Sequence, residues 1–82
     1  MFHMQNIIGP RVRAARFAKT PKLTQDALAA RLQTLGLDIS RVGVAKIEAG
    51  LRGVTDKEVL CLAQALDVSV AWLFGEEPDA GR

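Results

Sequence analysis

The sequence predicts an all-α fold, a compact bundle of five short helices, and two observations predict it. Apolar residues recur at helical spacing along most of the 82-residue chain. No run of β-branched residues alternates with polar ones for long enough to make a strand.

The first helix is predicted over residues 7–19. Ile8, Val12 and Ala15 share one stripe, and Pro10 falls near the first turn, where its missing amide proton costs no hydrogen bond. Thr20-Pro21-Lys22 stops it. Thr24 then offers a hydroxyl to the free amides of a second helix, with its apolar repeat at Leu28, Leu32 and Leu35 and its end at Gly36. Beyond the turn Leu37-Asp38-Ile39, Ser40 caps a short third helix, Arg41 to Ala49, which Gly50 closes in the left-handed position. Val44 and Ile47 are three apart and can face a core, which leaves Arg41, Val42, Ala45 and Lys46 pointing elsewhere. Thr55-Asp56-Lys57-Glu58 is a capping box that opens a fourth helix striped by Val59, Leu62, Ala63 and Leu66. Ser69 caps a last helix carrying Val70, Trp72, Leu73 and Phe74, and Gly75 ends it; Leu73 and Phe74 are assigned to the core. Residues 1–75 are therefore expected to form one domain, and residues 76–82 an acidic tail that frays.

Composition narrows the function. With 49% hydrophobic, 24% charged and only 5% aromatic residues, the chain is globular and packs through aliphatic side chains. A chain this short buries only about 60% of its unfolded surface, so a large enclosed substrate cavity is hard to build. One cysteine, Cys61, cannot make an internal disulfide or a cysteine-rich zinc site, and no stretch is long and apolar enough for a membrane span. These points imply a cytoplasmic protein. The net charge of +2 conceals a division. Residues 1–52 hold nine bases and three acids, 9 − 3 = +6, and residues 53–82 hold two bases and six acids, 2 − 6 = −4. The asymmetry suggests that the first part meets a polyanion, although a solvated charged face explains such a split as simply.

Catalytic chemistry has little to draw on. The lone histidine, His3, lies at the terminus, and Cys61 sits between Leu60 and Leu62, where a thiol behaves as a small hydrophobe. Gly36, Gly43, Gly50 and Gly53 build neither a phosphate loop nor a dinucleotide fingerprint. No enzyme activity, metal or cofactor is expected. What remains is a pair of helices joined by a turn, the second beginning with Arg41 and carrying Lys46. The DNA major groove admits one helix by its N-terminal end. There Arg41 can donate two bonds to guanine O6 and N7, Lys46 can reach a guanine or a phosphate, and Val42 can pack on a thymine methyl. Spacing alone is equally satisfied if Arg41 and Lys46 only solubilise an exposed helix.

From about Asn6 to Gly75 the chain resembles the lambda-repressor-like (Cro/Xre-type) helix-turn-helix DNA-binding domains. The resemblance is carried by Arg11-Val12-Arg13 with Arg16, Leu23-Thr24-Gln25, Leu28-Ala29, Val44-Ala45-Lys46-Ile47-Glu48-Ala49-Gly50 and the run from Leu62 to Phe74. It implies base reading by Arg41, Val42 and Lys46, with Gly43 and Ala45 close to the groove floor or the backbone. It implies DNA-backbone contacts from Gln25, which also braces the third helix, from Ser40 and Arg13, and from the loop holding Arg52 and Gly53. Arg16 and Glu48 correspond to a structural ion pair. The implied protein is a transcriptional regulator of the repressor type, expected to act as a homodimer on a two-fold operator; its dimer surface is expected on the last two helices with the tail, where Trp72 and Phe74 are candidates, core packing being the favoured reading for Phe74. The segment Ala30 to Ile39 is longer than in the family, so the turn is lengthened, and Thr20-Pro21-Lys22 extends the preceding loop. Two other readings keep the fold: an antitoxin-type regulator with a toxin partner, and a protein-interaction module without DNA binding.

Overall fold

The structure, a computed structural model, describes residues 4–77. It is helical: α1 (Gly9–Phe17), α2 (Gln25–Thr34), α3 (Arg41–Glu48), α4 (Asp56–Leu66) and α5 (Val70–Leu73), with no strand among the described residues. His3 and residues 78–82 lie outside them.

Four of the five starts are made by the predicted caps. The hydroxyls of Thr24, Ser40, Thr55 and Ser69 accept from the amides of Ala27, Gly43, Glu58 and Trp72, and Thr55 and Glu58 complete the capping box reciprocally. Each cap satisfies an amide that would otherwise lack an intrahelical partner, and is worth about 1 kcal/mol. The helix α1 begins differently, two residues later than predicted. Buried Asn6 accepts from the Gly9 amide at 2.7 Å and donates to the carbonyls of Ile47, 3.1 Å, and Arg52, 2.7 Å. One side chain thus joins the start of α1 to the end of α3.

The core is the predicted stripes brought together. Ile8 and Val12 from the start of α1, Leu28 and Leu32 from α2, Val44 and Ile47 from α3, Leu62 and Leu66 from α4, and Leu73 from α5 are almost wholly removed from solvent. The helix α1 packs on α3, α4 and α5, and α2 packs on α3 and α4. Gly9 permits the α1–α3 contact, because a methyl there would overlap the carbonyl oxygens of Ile47 and Glu48. Cys61 is half-buried against the core.

Two expectations are corrected. Leu35 is 42% exposed, since α2 ends one residue earlier. The amides of Gly36 and Leu37 fold back onto the carbonyls of Gln33 and Leu32, so Leu37, not Leu35, returns to the core. Phe74 is 41% exposed because it caps α5 and lies past the stripe that buries Leu73. Beyond α5 the Glu76 amide donates to the Ala71 carbonyl, and Glu77 accepts from Ser69 and Arg11.

Candidate nucleic-acid interface

The helix α3 is only eight residues long, and its two faces are sharply divided. Val44 and Ile47 are 0% and 1% exposed. Arg41 with Ala45, and Val42 with Lys46, are pairs one turn apart on the opposite side; Arg41, Val42 and Lys46 are exposed and Ala45 is half-buried. The face holds two cations at its ends and small apolar groups between them. Burial of Val44 and Ile47 fixes its orientation, and the Ser40 hydroxyl holds the first turn by accepting from the Gly43 amide.

Gly43 does not belong to that face. Its Cα lies under Ile39, whose Cγ2 would stand 2.7 Å from an added methyl. Ile39 is itself buried, so the long loop from α2 is anchored directly onto the first turn of α3. The lengthened connection is therefore fixed at both ends, by the α2 cap at Leu37 and by Ile39 on Gly43.

The start of α2 stands beside α3. Gln25 donates from Nε2 to Glu48 Oε1 at 3.1 Å, and Glu48 is held by Arg16 through Nε to Oε2 and Nη2 to Oε1. Arg16 also donates to the Leu23 carbonyl, so this buried pair joins α1, the loop and the end of α3. Next to Gln25, the Asp26 carboxylate lies 3.8 Å from Arg41 Nε. On the other side, exposed Phe17 carries Lys22 Nζ at 4.3 Å and the Arg13 guanidinium at 5.1 Å over its ring.

Arg52 is placed differently from the other predicted backbone contacts. Glu58 grips it with both oxygens, at 2.9 and 3.0 Å, and Arg52 also donates to the Gly53 carbonyl. The Arg52 guanidinium raises its own pKa by bonding Glu58, and the same bond holds the Glu58 carboxyl below its ordinary value. Gly53 is exposed, with ordinary space around it. The side chain of Arg52 thus secures the loop after α3, and the exposed backbone at Gly53 is what that loop presents.

Fewer basic side chains are available at this surface than the sequence suggests. Of the nine bases in residues 1–52, Arg11 donates to Trp72 and Glu77 and covers the Trp72 ring, Arg16 holds Glu48, Arg31 donates to the Ala65 carbonyl, and Arg52 holds Glu58. Removing these four leaves 9 − 4 = 5: Arg13, Lys19, Lys22, Lys46 and Arg41, the last facing Asp26. Sequence reasoning missed Asn6, Asp26, Phe17 and Lys22. Only the Arg13–Phe17 pairing, four residues apart on a helix, was in principle visible there.

The helix-turn-helix family matches residues 19–73. A crystal structure of the P22 c2 repressor protein in complex with synthetic operator 9T superposes with a TM-score of 0.68 at 26% identity, covering 88% of this chain and 98% of that one. No curated protein sequence matches.

Proposed function

The chain belongs to the helix-turn-helix family, of the lambda-repressor-like Cro/Xre type, and on that premise we propose that it is a sequence-specific DNA-binding transcriptional regulator. It acts as a repressor, as a homodimer on a two-fold operator, and by binding rather than by catalysis. The observation that carries this reading is the exposed face of α3, outward Arg41, Val42, Ala45 and Lys46 backed by buried Val44 and Ile47. The similar P22 c2 repressor, bound to operator DNA, supports it.

In this reading α3 enters the major groove by its N-terminal end. Arg41 bonds guanine O6 and N7, Val42 packs on a thymine methyl, Ala45 lets the helix lie close, and Lys46 reaches a guanine or phosphate. Gln25, Ser40, Arg13 and the exposed backbone at Gly53 meet phosphates, which position the helix without reading sequence. The Arg52 side chain is reserved for Glu58, and Gly43 for Ile39.

The partner protomer is assigned to the groove between α4 and α5. This open groove of about 380 Å³ is lined by Val59, Leu60, Val70 and Phe74 and edged by Asp56 and Lys57. Leu60 is 53% and Phe74 41% exposed, so the surface is apolar at its centre. Adjacent opposite charges at its edge are self-complementary about a two-fold axis, as an isologous interface requires. Pairing two half-sites about one helical turn apart then supplies affinity that one small module lacks.

Selection of duplexes from a random library at about 0.15 M salt, where non-specific binding is weak, tests the reading. A palindrome should be enriched. Failure of a folded protein to enrich any sequence overturns it.

A further inference from the structure

We infer that Asp26 is a positioning residue that makes Arg41 a reader of guanine rather than a binder of phosphate, an inference that rests on the proposed DNA-binding role of α3. Asp26 is an acid on the surface assigned to a polyanion. Its side chain is 80% exposed and Thr24 already caps α2, so what it gives the fold is the small gain of an acid in the first turn of a helix. Its carboxylate stands 3.8 Å from Arg41 Nε, an ion pair beyond hydrogen-bond length across the gap between the starts of α2 and α3.

The position of the contact on the guanidinium matters. An acid approaching Nε takes the inner edge of the group and leaves the terminal Nη1 and Nη2 as a parallel pair of donors. That pair matches guanine O6 and N7. An unheld arginine at a helix start has several rotamers and can swing to the phosphates on either side of the groove, where its charge gains as much from any sequence. With Asp26 in place, that swing leaves a carboxylate unpaired among phosphates, an arrangement penalised by like-charge repulsion. In free protein the exposed pair contributes little. Once DNA covers it and excludes water, the same pair strengthens, so its effect is felt in the bound state. Asp26 therefore lowers affinity for DNA in general and raises the preference for guanine at one position of each half-site.

The test compares the whole chain as wild type, Asp26→Asn, Asp26→Glu, Arg41→Ala and the double variant Asp26→Asn/Arg41→Ala. Each binds the selected duplex, the same duplex with the guanine replaced, and a scrambled duplex, and thermal melting confirms that each is folded. Arg41→Ala should lose the guanine preference. Asp26→Asn should bind the scrambled duplex more tightly and lose about tenfold in that preference, the scale of one bidentate contact. Asp26→Glu should recover part of it, and Asp26→Asn should change nothing further once Arg41 is alanine. If Asp26→Asn keeps the preference that Arg41→Ala loses, the inference is overturned and the base-reading role of Arg41 stands. If Arg41→Ala keeps the wild-type preference, the role of Arg41 fails and the inference fails with it.

Discussion

Arg16 and Glu48, 32 residues apart in the chain, meet through two hydrogen bonds with both side chains at most 7% exposed. Gln25 shares the same carboxylate. The end of α3 is thereby fixed to α1 and to the start of α2 at one point. Removing one partner of a buried pair leaves the other charge without water or a counter-ion. Glu48→Ala is expected to cost about 3 to 5 kcal/mol of stability in urea unfolding, whereas Arg16→Met with Glu48→Leu should recover most of that loss.

The second ion pair makes a pH prediction. Bonding from Arg52 holds the Glu58 carboxyl below its ordinary value, against a partial burial that raises it, with the Thr55 amide adding to the lowering. A lowered folded value means that the stabilisation is complete above the unfolded pKa, about 4.3, and is lost as pH falls through the folded one. The difference in melting temperature between wild type and Glu58→Gln should be present at neutral pH and vanish in acid. Glutamine keeps the capping box, so a difference that persists in acid would point to the cap instead.

Gly9 is a packing position. A methyl there meets two backbone carbonyl oxygens of α3, which cannot rotate away as a side chain can. Gly9→Ala should lower stability by about 1 to 3 kcal/mol, the usual cost of overpacking, despite alanine's better helix propensity. Gly36→Ala tests a different cause, since an added methyl there meets nothing and only its left-handed backbone opposes the change.

On the DNA surface, Lys46→Ala should weaken binding to the selected site by about 1 to 3 kcal/mol if it reads a base. Competition with a scrambled duplex separates the two roles. Equal loss on both sequences, with a shallower salt dependence, makes Lys46 a phosphate contact.

For the proposed dimer, Leu60→Glu places a charge at the centre of the α4–α5 groove, on a side chain already half in water. Sedimentation should show a monomer, and melting at low protein concentration should be unchanged. A dimer that survives the substitution is held by another surface.

Much of the fold was legible because its signals are local. Thr24, Ser40, Thr55 and Ser69 each cap within three residues, and the stripes of α1, α3 and α4 need only helical spacing. What was not legible lies at helix ends or far apart in sequence. Leu35 fits the spacing of α2 but sits where the helix has stopped, and Phe74 is one residue past α5. The bonds from Asn6 to Ile47 and Arg52 cross more than 40 residues, and nothing near Asn6 announces them. The site shows the same division. The outward face of α3 follows from periodicity, while the capture of Arg52 by Glu58 and the approach of Asp26 to Arg41 depend on how separate elements pack.

The Asn6 side chain carries a consequence for the order in which properties are lost on heating. It is one of two polar links, with Arg16–Glu48, by which α1 holds the last turn of α3, and it also holds the loop beyond. When that link parts, the end of α3 is left to the Arg16–Glu48 pair alone, so sequence discrimination should disappear at a lower temperature than helical ellipticity, and Asn6→Ala should widen the interval between the two.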